Sequence, residues 1–574
     1  MKNIGGSGLA PWWSARRSRT APGPSAAVDT DPSTNRRPDS VAVEQLLRIA
    51  SLSAGLLVIL ILVFQALRPG YAFRPPPGAP EPVFKSYLDR TAPIILDHFG
   101  IPGMVVTTVV RGTPARTYAY GLADRDHRRP MTADTIFRVA SISKSLTAWG
   151  VLRMVEAGQV DLDAPVQRYL DHWPLPKSSF PTSGVTLRRL LNHTSGLNAG
   201  ADIFRRPQER VLSAWELLSR EGDGPEVGPA LLASRPGELF RYSVPGYTIL
   251  TLVIEERSHR PFQEFMKSEV LRPLGMTSSS FDWDRPLQAR TATPYLGNGH
   301  AMPVLVPQDL AADSLFSTGP DLARYLAAPL PGNEPAATAG LPAKLVGKIT
   351  ATPNRLPRIE LEGLRFDGPS LGRFVERLPD GRMAVTNGGY DPGWSSQFYL
   401  IPSTGEGVVV LTNSEVGEPA IAEILAGWAS WRGLPATKMT RAHYALRLDV
   451  ALALGILVMI SLYFGSDVIV EVANGARRYG YLRAAALAAG ACEVALAFGL
   501  LGLWTVLRGP IEMTMPIFYG FGTFAIGLFA VVALSRLVFP PFRASVRPES
   551  ASSQQVAKLA GRRPSPGQAT AVLP

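Results

Sequence analysis

Four stretches of this chain lack charge for long enough to cross a bilayer, and a segment of mixed helix and strand patterning separates the first from the other three. Ile49 to Leu67 is an uncharged, mostly apolar run between Arg48 and Arg68. Val450 to Ser466 lies between Asp449 and Asp467, a second run between Arg483 and Arg508 is broken only by Glu493, and Met513 to Ser535 lies between Glu512 and Arg536. Such lengths suit a hydrocarbon core about 30 Å thick. They predict spans over residues 49–67, 446–466, 484–507 and 513–539.

Between the first two spans the periodicity alternates. A helix is expected near Phe84–Phe99, strands at Met104–Val110 and Arg116–Gly121, and a helix near Pro245–Ser258. Leu146, Trp149, Leu152, Met154 and Val155 recur at helical spacing from Ser141 to about Gln159. Strands at Phe398–Ile401 and Gly407–Thr412 then precede a closing helix near Pro419–Trp431. Strands at both ends with helices between predict an α/β (α+β) domain over 83–435, its sheet completed by the two ends and an α-rich insertion beside it.

Residues 1–48 and 540–574 are polar, basic and without periodicity, and read as disordered tails. The Pro-rich stretch 68–82 reads as a stiff spacer. Seven basic residues, Lys2 to Arg48, outnumber four acids before the first span, which places the N-terminus in the cytoplasm. Arg477, Arg478 and Arg483 and the basic C-terminal tail place those segments on the same side, so the 83–435 domain is expected outside. The expectation is therefore a multi-pass protein of the cell (inner) membrane with a periplasmic or extracellular domain. The long leader and the lack of a good small-x-small site favour an uncleaved anchor over a signal peptide.

Composition narrows the chemistry. Net charge is +11 at 574 residues, and mean hydropathy is +0.08. Despite a pI near 9.7 there is no basic stripe interleaved with aromatics, so nucleic acid is not an expected partner. One cysteine, Cys492, excludes an internal disulfide. The seven histidines show no H-E-x-x-H spacing, and neither a metal nor a cofactor is expected.

The candidate chemistry centres on Ser141-Ile142-Ser143-Lys144. At a helix start, Lys144 lies one turn above Ser141 on the same face, within reach of its hydroxyl. A desolvated amine there is expected to lose its proton near neutral pH and activate the serine. An N-cap serine followed by a surface lysine is the plain alternative.

Other stretches accompany that motif in order: Leu190-Leu191-Asn192-His193-Thr194-Ser195-Gly196-Leu197, Arg235-Pro236-Gly237-Glu238, Leu271-Arg272-Pro273-Leu274-Gly275-Met276 and Val408-Val409-Val410-Leu411-Thr412-Asn413-Ser414. Together, over about Phe84 to Trp431, they resemble the serine β-lactamase-related family of class C-like β-lactamases, D,D-peptidases and esterases. The resemblance implies a β-lactamase/D,D-peptidase-like sheet flanked by helices. It implies Ser141 as nucleophile, Lys144 as its proton acceptor and Tyr242 as a phenol partly ionised beside Lys144. It also implies an oxyanion hole from the N–H groups of Ser141 and Tyr390.

Two of the family's motifs are altered. Tyr242-Ser243-Val244 keeps the tyrosine but has Val244 where the family has asparagine. Asn387-Gly388-Gly389-Tyr390 replaces a Lys/His-x-Gly segment, so a neutral amide stands where a cation holds anionic substrate ends. Asn387, Gly388 and Gly389 are therefore expected to line the substrate, with Asn387 suited to an uncharged side chain or amide; a hairpin turn is the alternative. Asp313 occupies a position where the family has small residues. It offers a carboxylate to a substrate donor, or is a solvated loop acid. His193 reads as structural.

A soluble domain followed by three spans is also similar to the prodrug-activating peptidases of nonribosomal peptide pathways, such as the colibactin-maturing enzyme, which remove an N-acyl-D-asparagine cap. The expected function is thus a membrane-anchored serine peptidase. It would cleave an amide in a D-amino acid-containing or acylated peptide through an acyl-serine intermediate. A D,D-peptidase, β-lactamase, esterase or catalytically silent penicillin-binding-like sensor are the alternatives. A transporter reading rests on Glu493, a lone acid at membrane depth, and oligomerisation through the spans is left open.

Overall fold

A computed structural model describes residues 38–67, 73–200, 202–220, 229–330, 341, 347, 359–361, 364–477, 484–506 and 516–541. The chain begins with helices α1 (Pro38–Leu67) and α2 (Glu81–His98), then strands β1 (Gly103–Val110), β2 (Thr113–Asp124), β3 (Arg129–Pro130) and β4 (Phe137–Arg138). Helices α3 (Ile142–Glu156), α4 (Val244–Ser258) and α5 (Leu310–Asp313) lead to β5 (Phe316–Ser317). Strands β6 (Ile359–Leu361), β7 (Leu364–Phe366), β8 (Gly368–Pro369), β9 (Phe374–Arg377), β10 (Met383–Asp391), β11 (Trp394–Ile401) and β12 (Glu406–Thr412) follow. Helices α6 (Glu418–Trp431), α7 (Lys438–Ala473), α8 (Ala484–Val506) and α9 (Pro516–Val538) close the chain.

The main sheet is antiparallel, eight-stranded, and ordered β8-β9-β10-β11-β12-β1-β2-β3. Val106 pairs with Val410, so the two ends of the domain meet at its centre, as the strand pattern predicted. The run Val408-Val409-Val410-Leu411 is continuously apolar because successive side chains face opposite sides and both sides are covered. Val408 and Val410 join Phe84, Leu88, Ile421 and Trp428 of α2 and α6. Val409 and Leu411 join Trp149, Leu152 and Leu250 of the helical layer.

Among the described residues, four helices are long and apolar enough to cross a membrane. Two of them differ from the sequence boundaries. Residues 38–48, expected within a disordered tail, extend α1. The short second span is part of a 36-residue helix, α7, about 54 Å long. Its first turns pack on the 83–435 domain: Tyr444 Oη donates to Glu423 Oε2 at 2.6 Å, and Arg447 reaches Glu423 at 3.0 Å and the Gln65 carbonyl at 3.0 Å. These contacts join the domain directly to the base of the span. Glu493 pairs with Arg536 of α9 at 2.8 Å, which satisfies its charge between spans. Tails 1–37 and 542–574, the start of the spacer at 68–72 and the loops 478–483 and 507–515 lie outside the described residues.

Candidate active site

Ser141 is placed by a tight junction between β4 and α3. Ala140 adopts a left-handed conformation (φ 45°), which costs a non-glycine residue about 1 kcal/mol and turns the chain sharply into the helix. Surrounding bonds hold that turn: Val139 N–H donates to the Leu315 carbonyl at 3.0 Å, and Ser143 Oγ donates to the Ala140 carbonyl at 2.6 Å. Ser141 makes no side-chain cap bond, so its hydroxyl is left to the site. The N-cap alternative is thereby removed.

Three other side chains converge on that hydroxyl. Lys144 Nζ donates to Ser141 Oγ at 3.0 Å and Tyr242 Oη donates to it at 2.8 Å. Ser141 Oγ in turn donates to Asp313 Oδ1 at 2.8 Å. Lys144 is fully enclosed, and its remaining contacts are the Ala312 carbonyl and both Asp313 oxygens, each at 3.2 Å. Its ammonium also lies over the rings of Tyr242 (4.9 Å) and Tyr247 (5.6 Å), whose faces attract a cation.

Electrostatics then correct one expectation. Burial alone lowers the Lys144 pKa, as the sequence reading assumed, but the Asp313 carboxylate, with Tyr242 and Asp202, reverses the sign and raises it. Lys144 is therefore an ammonium, unable to accept the serine proton at neutral pH. Tyr242 is likewise pushed up, to about 12, by burial against the opposing pull of Lys144, so it rests as a phenol. Asp313 is held below the usual carboxylate range: burial opposes ionisation, but Lys144 and the hydrogen bond from Ser141 outweigh it. It is not a solvated loop acid. With a donor on each side of Ser141, the acceptor in the constellation is Asp313.

The remaining sequence candidates divide. Gly388 and Gly389 line the cleft on the free edge of β10, beyond its pairing with β9. A Cβ on Gly389 would sit 2.3 Å from the Val139 carbonyl and 2.9 Å from Ala140 Cβ, so only glycine lets the strand approach the nucleophile. Tyr390 is next along that strand, half exposed at the cleft. Asn387 also borders the cleft, but its amide nitrogen points to the Ser141 carbonyl (3.0 Å), Ser145 Oγ (3.0 Å) and the Gly372 carbonyl (3.1 Å). It braces β10 against α3. Val244 is buried in the helical-layer core and does not line the cleft. His193 is buried, accepts from Ser243 N–H at 3.0 Å and stacks on Tyr242 with centroids 4.3 Å apart, fixing the phenol from behind.

Two features escaped sequence reasoning. Asp202 borders the cleft as an exposed carboxyl; it sits in a loop with no motif. Arg138 and Asp391, fully buried, form an ion pair at 3.0 Å that ties the strand before Ser141 to the end of β10. The cleft, about 130 Å³, has an apolar wall from Leu361, Leu364, Phe366, Phe374 and Met439, the last on the first turn of α7.

The model of the beta-lactamase family matches residues 88–427 of this chain. The chain belongs to the beta-lactamase family. Among its relatives, the mitochondrial serine beta-lactamase-like protein LACTB of Mus musculus is 26% identical over 301 residues, covering 41% of this chain and 54% of that protein. This chain thus spans about half the length of that relative. Esterase EstB of Burkholderia gladioli is 29% identical over 309 residues, covering 51% of this chain and 73% of the esterase. A solved structure, SurE, superposes with a TM-score of 0.50 at 25% identity over 62% of this chain and 77% of its own. Family membership accounts for the antiparallel sheet with flanking helices, and makes this domain a beta-lactamase-fold member of a serine hydrolase family.

Proposed function

We propose that this protein is a membrane-anchored serine hydrolase that cleaves an amide or ester outside the cytoplasm through an acyl-Ser141 intermediate. One observation carries the reading: Ser141 Oγ receives hydrogen bonds from Lys144 and Tyr242 while giving its own proton to Asp313. Ser141 Oγ attacks the carbonyl carbon as its proton passes to Asp313 Oδ1. The N–H groups of Ser141 and Tyr390 stabilise the oxyanion. The leaving group takes a proton from Tyr242, which regains one from Lys144, and Lys144 regains one from Asp313. Water then attacks the acyl-enzyme through the same relay, and every proton is accounted for.

The cleft favours some substrates of such a hydrolase over others. Penicillins and D-Ala-D-Ala ends carry a carboxylate, and the residues lining the cleft offer it no cation in place of the family's Lys or His. The apolar wall suits an acylated or otherwise hydrophobic group. An amide in an acylated, D-amino acid-containing peptide is therefore preferred, although Asn387, turned onto the backbone, gives no direct amide reading.

The test uses full-length protein in membranes, with N-acyl-D-Asn peptides, D-Ala-D-Ala peptides, nitrocefin and p-nitrophenyl esters, and a fluorophosphonate label. The label should modify wild type and spare Ser141→Ala. Labelling of Ser141→Ala, or its undiminished turnover, removes the hydrolase reading. Rapid nitrocefin hydrolysis removes the substrate preference. Protease added to intact spheroplasts should digest the 83–435 domain if it lies outside.

A further inference from the structure

The apolar wall of the cleft continues past the cleft. Tyr242 and Phe240 pack on the cluster that holds Phe374 and Phe366. The Phe240 and Phe374 ring centroids lie 6.4 Å apart, and those of Phe374 and Phe366 5.0 Å. The last ring lies under Lys438, whose ammonium is 5.3 Å from its centroid. Lys438 and Met439 open α7, and Met439 lines the cleft with Leu361 and Leu364. An apolar path thus joins the phenol beside Ser141 to the foot of a span.

That foot is fixed to the domain. Lys438 N–H donates to Glu376 Oε1 of β9 at 2.6 Å, and Thr437 accepts from Thr440 N–H as the helix cap. Thr440 Oγ1 donates to the Ala422 carbonyl of α6 at 3.1 Å. Beyond Met439 the helical repeat puts Ala442, Leu446 and Val450 on the same face. Tyr444 and Arg447, which bind Glu423, fall on another face and leave this stripe clear. Leu446 is 49% exposed, a large apolar side chain between the cleft and the uncharged run.

Lengths agree with this path. From Met439 to Val450, where the uncharged run begins, the helix rises about 16 Å. One leaflet of a hydrocarbon core is about 15 Å deep, so a chain of that length reaches from the cleft to the bilayer. The cleft, about 130 Å³, is smaller than the pockets of about 300–1,000 Å³ that enclose whole ligands, and a long chain must leave it.

We propose that the substrate is a single-chain amphiphile resident in the bilayer: its labile carbonyl lies at Ser141 and its acyl chain runs along Met439, Ala442 and Leu446 of α7 towards the membrane. This deepens the hydrolase reading above and rests on it and on the anchoring of the spans. Met439 and Leu446 then select for chain length, because each added methylene on that path leaves water.

The test uses full-length protein in phosphatidylcholine vesicles and a tetradecyl fluorophosphonate with a diazirine at the chain end. After the probe has labelled Ser141, irradiation should crosslink its tip to α7 between Met439 and Val450, or to phospholipid. Crosslinks confined to the rest of the 83–435 domain overturn the proposal. p-Nitrophenyl myristate should exceed p-nitrophenyl acetate in kcat/KM by about tenfold or more, and Leu446→Gln, at a half-exposed position, should cut that ratio about tenfold through KM. Met439→Gln should act likewise at the cleft itself. An unchanged ratio in Leu446→Gln, or a wild type that prefers acetate, overturns the proposal. In each of these cases Ser141 is still labelled and the hydrolase reading stands. Wild type that takes no label overturns the hydrolase reading, and this proposal with it.

Discussion

Asp313 Oδ1 lies 2.8 Å from Ser141 Oγ, although 172 positions of chain separate the two residues. The same carboxylate holds Lys144, so one side chain sets both the charge of the lysine and the direction of the serine proton. A seryl–lysine pair with no acid beside it would work through a neutral amine. Here the lysine is a fixed cation and the acid is the acceptor.

Replacing Asp313 by asparagine keeps the shape and removes the acceptor. Acylation of Ser141 by an ester substrate should fall about 10²- to 10⁴-fold at pH 7, the usual range for a lost general base. A rate within a few-fold of wild type would show that Asp313 does not take the proton.

Tyr242→Phe removes one oxygen and retains the ring stacked on His193. Stability should change by about 1 kcal/mol or less, since a single hydrogen bond to Ser141 is lost. Turnover should fall about 10²-fold or more, more for amides than for p-nitrophenyl esters, whose leaving group needs no proton. Equal losses on both substrates would argue against Tyr242 as proton donor to the leaving group.

Asn387→Ala should destabilise the fold by about 1–3 kcal/mol, because the Ser141 and Gly372 carbonyls lose a buried donor. Denaturant midpoint would record that change. Relative rates across the substrate panel should hold constant if Asn387 braces the helix and reads no substrate group.

Thermal stability should fall as pH rises from about 5 to 7. Buried Glu376, raised to about 7 by desolvation against the pull of Arg441, and buried Asp309, raised to about 6 by desolvation, bind protons in the folded protein that the unfolded chain has largely released by about pH 5, so rising pH favours unfolding until the folded groups ionise. Buried His193, held well below its usual value by desolvation, contributes the opposite slope below about pH 6.5, one group against two. Differential scanning fluorimetry should record the fall, and a melting temperature that rises from about pH 5 to 7 contradicts it.

Local pattern was legible where packing is regular. The apolar strand Val408 to Leu411, the helix after Ser141 and the long uncharged spans each repeat at a fixed period, because one or both faces must be covered along their length. Ser141, Lys144 and Tyr242 were legible because their spacing and neighbouring turn residues carry a motif. The docking of α7 on Glu423 was not, since the boundary at Pro435 reads as a break while the helix restarts at Lys438 and continues into the span.

What the sequence determined by itself is the order of elements, the long apolar helices and the pairing of Ser141 with Lys144, each set within a turn or two of chain. Tertiary structure alone decided the ionisation of that site. Asp313 and Lys144 come from separate elements, and only their approach in a buried site keeps Lys144 a cation and Asp313 an anion. Charge in a low-dielectric site depends on distance through space, and no spacing along the chain records that.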